Sequence, residues 1–389
     1  MKRRGGYGPI GVDIGGSSVK LLQLVNRDGR PSIQAAARFD LPAEAADPVE
    51  RAQALHDGLS KALSLHAFRG TDSISALGCA DFQMKSIRLP RMPPEEMASA
   101  VEFEARERFN IGEGGEFRFV PAGEVRHGND LKEEIIVFAA REGAVQETLQ
   151  LLESLKLRPI AVDLTPCAMA RSFVRFLRRA DDATAVNVFV DVGWQNTAIA
   201  MTRGTDLCFL KILDVGGRSF SSAVAQALSL TLPEALDLRI RIIRENCGRR
   251  GDERRDVADD SSFQTPAEIR ARASDAVRPL IERIARDVQL CLRYFAVTFR
   301  GNRPESLTFV GGEAHEPALM EIIAPALDVP CMIGYPLRGM DGTQGMSSRD
   351  ARTLAPCWAV ACGLALRGTP WVGGPRPKAA VRTPEAAAV

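Results

Sequence analysis

The sequence predicts an α/β protein with two similar lobes and a small α+β module inserted in the first lobe, and two observations support this. A strand, an Asp-x-Gly turn and a second strand occur around Asp13 and again around Asp191, in opposite halves of the 389-residue chain. A repeated pattern of this kind indicates two equivalent lobes. Between the two copies, residues 73–163 follow the order β–α–β–β–α–β, which is typical of a compact unit.

The first lobe begins with a predicted hairpin. Apolar residues alternate up to Ile14, the small polar turn 15–18 follows, and strand character resumes at Val19. The pattern then predicts a third strand over 32–41 and a helix over 48–65.

The inserted module is predicted as one long strand, a helix and further strands. The strand covers 73–90, and Pro93 and Pro94 mark the start of the helix, where a missing amide donor costs little. The helix has one apolar stripe with a four-residue period, which consists of Met97, Val101, Ala105 and Phe109. Strands over 117–125 and 134–140, a helix over 143–156 and a strand over 159–163 complete the module.

The second lobe repeats the hairpin and continues with helices. Strands are predicted over 186–192, 197–201, 207–213 and 307–310. Helices are predicted from residue 219, over 266–299, and after the Gly311-Gly312 pair that ends the last strand. Residues 246–265 have few apolar side chains and charges of both signs, which favours a solvated loop. From residue 368 the chain is rich in Pro, Gly and Ala, which predicts a disordered tail.

These elements predict a domain order in which the first lobe is interrupted twice. The first lobe takes residues 1–76, the return segment 165–184 and a closing helix at 346–367. The inserted module takes 77–164, the second lobe 185–345 and the tail 368–389.

Composition narrows the classes of function. Fifty basic residues against 49 acidic ones give a net charge of +1, which argues against a global field for nucleic acid or anionic lipid. The best apolar run, 355–366, is shorter than the roughly 20 residues that a membrane span needs, so we expect no direct membrane insertion. The eight cysteines are dispersed without a CxxC pair, which favours reduced thiols in a cytoplasmic protein over a zinc site.

Two facing Asp-x-Gly hairpins suit a polyphosphate with a metal ion. Glycines permit close approach of the backbone to an anion, and successive turn amides and hydroxyls donate to phosphate oxygens. Carboxylates at Asp13 and Asp191 repel phosphate directly but can hold a hydrated Mg²⁺ that bridges to it. Lys20 adds a positive charge, and the strand over 307–310 ends in a Gly-Gly pair that offers flat backbone to an adenine.

The order of these motifs, closed by the small-residue helix at 359–363, resembles the actin/Hsp70/sugar-kinase ATPase fold over about residues 9–367. Within that fold, the chain is similar to the PilM family of type IV pilus assembly proteins, itself similar to the cell-division protein FtsA. The most specific stretches are 87–109 (IRLPRMPPEEMASAVEFEARERF) and 137–171. The inserted module is a feature of PilM and FtsA that sugar kinases lack.

The resemblance implies that ATP with Mg²⁺ binds between the lobes. The residues that it assigns to the nucleotide are Asp13, Gly15, Gly16, Ser17, Ser18 and Lys20 on the first hairpin, Asp191, Gly193, Asn196 and Thr197 on the second, and Arg239, Gly311 and Gly312 on the adenosine side. Asp13 and Asp191 are the residues expected to hold Mg²⁺ through water.

The resemblance also implies a partner and a place in the cell. Proteins of this family grip the N-terminal cytoplasmic peptide of PilN, a single-pass membrane protein, in a groove between the module and the first lobe. We therefore expect a cytoplasmic protein that is peripheral at the inner membrane through a PilN-like partner. Other pilus platform proteins and self-association are further contacts that the resemblance allows.

The chain departs from the family pattern at several positions. Glu313 follows the Gly-Gly pair where relatives often have a small residue, and Leu236 and Arg239 stand where relatives commonly carry a Glu and a Lys that reach the nucleotide. Thr165 stands where a carboxylate activates water, and a hydroxyl is a poor general base. Trp194 is bulky enough to restrict a γ-phosphate. We therefore expect ATP binding with weak or no hydrolysis, and no catalytic residue.

Two other functions stay open at the level of sequence. A sugar-kinase-type phosphotransferase needs a catalytic carboxylate that faces a sugar pocket, and no convincing candidate exists. An FtsA-like filament former on the membrane needs a C-terminal amphipathic helix, whereas residues 368–389 have four prolines and no apolar stripe. Arg88 and Arg91 are candidates to meet an acidic peptide, although solvated charge is the more common role of such residues.

Overall fold

The computed structural model describes residues 6–42, 47–109, 115–127, 130–179, 181–249, 265–299, 303–342 and 355–369. They form two lobes, each with a five-stranded mixed sheet, and a module with a three-stranded sheet. Within these ranges, no helix combines the length and the apolar character needed to cross a bilayer.

The sheet of the first lobe has the order β3-β2-β1-β4-β8. Its strands are β1 (Tyr7–Ile14), β2 (Ser18–Arg27), β3 (Arg30–Asp40), β4 (Asp72–Leu77) and β8 (Arg158–Leu164). The first three are antiparallel neighbours, and β4 and β8 run parallel to β1. Alternation along β2 places Leu21 against the helices α1 (Pro48–Leu65) and α3 (Ala144–Ser154), and Leu22 against the closing helix (Ala359–Gly368).

The second lobe repeats this arrangement in the order β11-β10-β9-β12-β13. Its strands are β9 (Val186–Val192), β10 (Thr197–Arg203), β11 (Asp206–Leu213), β12 (Ser306–Val310) and β13 (Cys331–Ile333). Its main helices are α5 (Gly217–Leu228), α6 (Leu232–Arg249) and α7 (Ala267–Phe299). The first residues of the predicted solvated loop belong to α6, and residues 250–264 lie outside the described ranges, as does the tail from residue 370.

The module is a sheet of β5 (Phe82–Pro90), β7 (Asp130–Ala140) and β6 (Phe117–His127), in that order, covered on one face by α2 (Pro94–Phe109). Along β7, Ile135 and Val137 pack under the stripe of α2, as the four-residue period predicts. The intervening Ile136 and Phe138 belong to a large core that includes residues of both lobes, and β6 contacts β11 and α7 of the second lobe. The module therefore lies with α2 on its outer face and the second lobe on its inner face.

Side chains at the inner face bind the module to α7. Arg88 forms an ion pair with Glu134 at 2.6 Å and donates to the Tyr294 hydroxyl at 3.2 Å. Arg91 forms an ion pair with Glu124 at 3.0 Å. Both arginines that the sequence offered to an acidic peptide are thus paired with carboxylates of the module itself.

The predicted limits of the module need correction. The single strand predicted over 73–90 is two strands in different sheets, separated by a turn in which the Asp81 amide donates to the Gly78 carbonyl at 2.9 Å. β4, α3 and β8 belong to the first lobe, because β8 pairs with β4 and Leu152 of α3 packs in the core under β1. The module sheet spans 82–140, where the sequence placed it in 77–164.

Glycines let the closing helix approach the rest of the first lobe closely. A Cβ atom at Gly363 would lie 1.7 Å from the Ala168 carbonyl oxygen of α4 (Thr165–Val174), and one at Gly11 of β1 would lie 2.7 Å from the Ala361 carbonyl oxygen. Neither distance is possible for a real side chain. The small-residue composition of 359–363 is therefore a requirement of packing.

Candidate functional site

The two Asp-x-Gly turns have the same geometry and meet between the lobes. The Gly15 amide donates to the Ser18 carbonyl at 3.1 Å, and the Gly193 amide donates to the Asn196 carbonyl at 3.0 Å. A Cβ atom at Gly16 of the first turn would lie 2.8 Å from Trp194 of the second. The structure thus brings together the two copies that the sequence predicted to face each other.

An acidic pair with one lysine lies behind the turns. The Lys20 ammonium is 3.4 Å from the Asp13 carboxylate, and both side chains are less than one-tenth exposed. Burial raises the pKa of Asp13, against the opposing effect of Lys20. Burial, and next the charge of Asp13, raise the pKa of Asp191 to about 6, with Lys20 again opposing. The Asp13 and Asp191 carboxylates repel each other and are attracted by Lys20, so a cation bound beside them would relieve the repulsion that remains.

We expect Asp191→Asn to stabilise the protein at pH 7.5 by roughly 1–2 kcal/mol. The raised pKa means that the folded state binds a proton more tightly than the unfolded state, so stability falls as pH rises from about 4 to about 6. The variant lacks this loss, and below pH 4 the two proteins should be equally stable. Urea midpoints at both pH values, with the exposed Asp328→Asn as control, measure the effect. A variant less stable than the parent at pH 7.5 contradicts it.

Trp194 fills the space in front of the first turn. Its side chain is only 8% exposed, and its ring lies against the backbone of Gly16. On the other side, Arg51 of α1 donates to the Gly16 carbonyl at 2.7 Å. The indole therefore covers the first turn on the Gly16 side, while residues 15–17 keep partial exposure.

The second turn is anchored to the start of α5. The Thr197 hydroxyl, fully buried, donates to the Val215 carbonyl at 2.7 Å. The Gly193 and Trp194 carbonyls accept from the amides of Gly217 and Arg218 at 2.9 and 2.8 Å. The sequence predicts that the Thr197 hydroxyl donates to a phosphate, but this hydroxyl already donates to a carbonyl within the second lobe.

The strand β12 ends, as predicted, in a Gly-Gly pair next to the acidic pair. Gly311 has a φ of +93°, and a Cβ atom there would lie 2.4 Å from the Asp191 carboxylate. Both observations explain why glycine occupies this position. A Cβ atom at Gly312 would have no neighbour within 4 Å, so its backbone is open on one side.

A buried ion cluster lies where the resemblance places the adenosine. The Arg239 guanidinium of α6 donates to Glu313 at 2.7 Å and to Glu316 at 2.6 Å, and also to the Ser221 hydroxyl at 3.0 Å. Arg239 is 3% exposed, and Glu313 and Glu316 are 9% and 7% exposed. Burial lowers the pKa of Arg239, but the charges of Glu313 and Glu316 outweigh it and the net shift is upward. Arg239 is thus bound to carboxylates of its own lobe.

The region of the expected water-activating carboxylate is also internally paired. Asp163 accepts from Arg171 at 2.7 Å and lies 3.0 Å from Arg367 of the closing helix. Thr165 lies 3.7 Å from the Cys79 sulfur. Both guanidinium groups contact Asp163 Oδ2, and the Leu164 amide donates to Oδ1 at 2.8 Å, so the carboxylate is held by the protein itself, which argues against the phosphotransferase alternative.

Together, these side chains do not fit Mg·ATP. The indole of Trp194 covers the first turn, the Thr197 proton is used elsewhere, and Glu313 adds negative charge beside the Gly-Gly pair. In the part of the chain that the structure describes, no group of three or more His, Cys, Asp or Glu side chains is placed to hold a metal ion.

Sequence reasoning identified Arg239 and Glu313 separately and missed that they form one cluster. They lie 74 residues apart, and Glu316 lies 77 residues from Arg239. The signal was present, since an arginine and an acid both replace expected residues on the same predicted side of the cleft. Arg51 was not singled out, because nothing in its helix marks it as a partner of the first turn.

Comparisons with known proteins cover nearly the whole chain. Residues 11–242 and 266–369 match the family described as "Type IV pilus assembly protein PilM". A solved "PilM-PilN type IV pilus biogenesis complex" aligns with 94% of this chain and 99% of its own chain, at 23% identity and a TM-score of 0.73. The ethanolamine utilization protein EutJ from Carboxydothermus hydrogenoformans aligns with 95% of this chain and 92% of its own, at 15% identity and a TM-score of 0.52. These structures confirm the predicted two-lobed fold class.

Proposed function

The chain belongs to the family of type IV pilus assembly protein PilM, and we propose that it is a scaffold of the inner-membrane assembly platform of a type IV pilus or a related secretion machine. It acts from the cytoplasmic side and binds the N-terminal cytoplasmic peptide of a PilN-like single-pass membrane protein. The family match over both lobes and the module carries this proposal. The solved relative in the PilM-PilN complex supports the choice of partner.

The seam between the module and the first lobe is the place proposed for the peptide. At this seam, Arg141 follows β7 and donates to Glu147 of α3 at 2.8 Å and to the carbonyl of Glu142 at 3.1 Å. Asp81, just before β5, lies 3.5 Å from the same guanidinium. Arg141 is about half exposed, so a carbonyl or carboxylate of a bound peptide would reach it by replacing one of these acceptors.

We expect the protein to bind a synthetic peptide that copies the cytoplasmic start of a PilN-like protein from the same organism, and a scrambled peptide to bind at least tenfold more weakly. Arg141→Ala should weaken the specific peptide by about tenfold, the effect of losing one good charged hydrogen bond. Arg303→Ala is the matched control, because Arg303 is exposed and its ion pair among the described residues is with the exposed Asp328. Fluorescence anisotropy with labelled peptide measures all four affinities. Equal binding of both peptides to the parent protein contradicts the proposal.

ATP and Mg²⁺ do not form part of this proposed function. The sequence predicts them through the resemblance, and the two turns and the acidic pair support that prediction in outline. The side chains of Trp194, Glu313 and Arg239 argue against it, because they occupy the surfaces that the nucleotide needs.

A further inference from the structure

We infer that this chain has replaced the nucleotide of its cleft with its own side chains, so that its lobes stay together without ATP. The indole of Trp194 takes the phosphate end of the cleft, and the cluster of Arg239, Glu313 and Glu316 takes the adenosine end. The inference concerns the cleft alone and stands independently of which peptide the protein binds.

At the phosphate end, the Trp194 side chain fills the space beside the first turn. Trp194 lies so close to the first turn that a Cβ atom at Gly16 would be 2.8 Å from Cδ1 and 3.1 Å from Cβ of the indole side chain. At 8% exposure, the residue is almost fully enclosed. A phosphate that accepts from the amides of the first turn needs the same volume. The indole would have to leave an apolar environment for water before phosphate could enter.

At the adenosine end, the Glu313 carboxylate both fills space and is paired with Arg239. The Glu313 carboxylate lies over the start of α5, where a Cβ atom at Gly217 would be 2.1 Å from its oxygen. The same carboxylate accepts from Arg239 at 2.7 Å. A ribose or adenine placed between Gly217 and the Gly-Gly pair would displace Glu313 and strip Arg239 of a buried partner. Breaking a buried ion pair on one side is strongly unfavourable.

Charge adds a third obstacle. The carboxylates of Asp13, Asp191, Glu313 and Glu316 and the cations of Lys20 and Arg239 lie around the cleft, and the Arg51 guanidinium donates to the Gly16 carbonyl of the first turn. Lys20 is paired with Asp13, and Arg239 with the two glutamates. The four carboxylates outnumber the three cations, so a triphosphate would meet an excess of negative charge.

Contacts across the cleft show what holds the lobes instead. Trp194 of the second lobe packs on Gly16 of the first. The Gly311 amide donates to the carbonyl of Pro356, directly before the closing helix, at 3.2 Å. The charge of Lys20 in the first lobe also attracts the Asp191 carboxylate of the second lobe. These contacts connect the same elements that a nucleotide would bridge.

The test is a titration of the full-length parent protein with Mg·ATP and Mg·ADP, followed by calorimetry and by thermal unfolding. A ligand that binds only the folded state raises the melting temperature. We expect no saturable heat and a melting temperature unchanged within about 1 °C at millimolar nucleotide. Nucleotide released by denaturing the freshly purified protein should likewise be absent. Saturable binding of one nucleotide per chain, or a nucleotide that copurifies, overturns the inference.

Variants test whether these side chains are the reason. Trp194→Gly with Glu313→Ser should open both ends and give a Mg·ATP affinity at least tenfold above the parent's, whereas Arg303→Met should leave the parent's behaviour unchanged. Circular dichroism shows whether the double variant folds. If it folds but binds Mg·ATP no better than the parent, Trp194 and Glu313 are not what excludes the nucleotide, and the inference is overturned. If the double variant does not fold, the parent titration still decides. Peptide binding is measured on the same parent sample, so that the two proposals can fail separately. A parent protein that does not bind the peptide contradicts the scaffold role and leaves the inference about the cleft unaffected.

Discussion

Replacing Arg239 by methionine should lower the free energy of unfolding by about 3–5 kcal/mol. The substitution leaves the carboxylates of Glu313 and Glu316 buried at 9% and 7% exposure without the cation that both contact. Methionine matches the length of the arginine stem, so the loss reports the guanidinium, including its position over the Phe220 ring at 5.2 Å from the centroid. Urea denaturation, followed by far-UV circular dichroism, measures the change.

Two further proteins separate charge from packing in this experiment. Arg303→Met removes an arginine whose ion pair with Asp328 is exposed, and it should change stability little. Adding Glu313→Gln and Glu316→Gln to Arg239→Met should recover part of the loss, because the uncompensated charges are gone. A single variant as stable as Arg303→Met would show that the cluster is not buried as described.

Replacing Gly363 by alanine should destabilise the protein by more than about 3 kcal/mol. Alanine favours a helix over glycine by about 1 kcal/mol, so propensity alone predicts a gain. The new Cβ atom, however, would lie 1.7 Å from the Ala168 carbonyl oxygen, which belongs to the backbone of α4 and cannot rotate away. The closing helix must therefore move from α4 and from β1, and this loss exceeds the gain in propensity.

Gly312→Ala is the matched control for this prediction. A Cβ atom at Gly312 has no neighbour within 4 Å, so the same chemical change should alter stability by less than about 1 kcal/mol. Thermal and urea unfolding of both variants give the comparison. A Gly363→Ala protein that is as stable as Gly312→Ala contradicts the close packing of the closing helix.

The hairpins and the stripe of α2 could be predicted because their signals are local. Alternation around Asp13 and Asp191 sets both strands and the turn between them, and the four-residue period of α2 sets its buried face. The limits of the module could not be predicted in this way. Strand β8 is adjacent to the module in sequence, but it pairs with β4 of the first lobe, and parallel pairing across a long insertion leaves no local signal.

The residues of the cleft likewise include some whose positions could be predicted from the sequence and some whose contacts could not. The sequence places Asp13, Lys20 and Asp191 near one another through the repeated hairpin, and the structure agrees. It also identifies Trp194 and Glu313 as departures from the family. Their shared consequence depends on distances between elements far apart in sequence, such as α6 and the segment after β12, and only the folded chain supplies these distances.

The central claim is that this member of the PilM family binds its membrane partner as a clamp closed by its own side chains. The most direct measurement is the affinity of nucleotide-free protein for the N-terminal peptide of the PilN-like partner, with and without Mg·ATP. A nucleotide that does not bind the cleft cannot change the affinity for the peptide. We therefore expect the dissociation constant of the peptide to be the same with and without Mg·ATP, within about twofold. Peptide binding that appears only with Mg·ATP, or strengthens tenfold with it, would contradict the account.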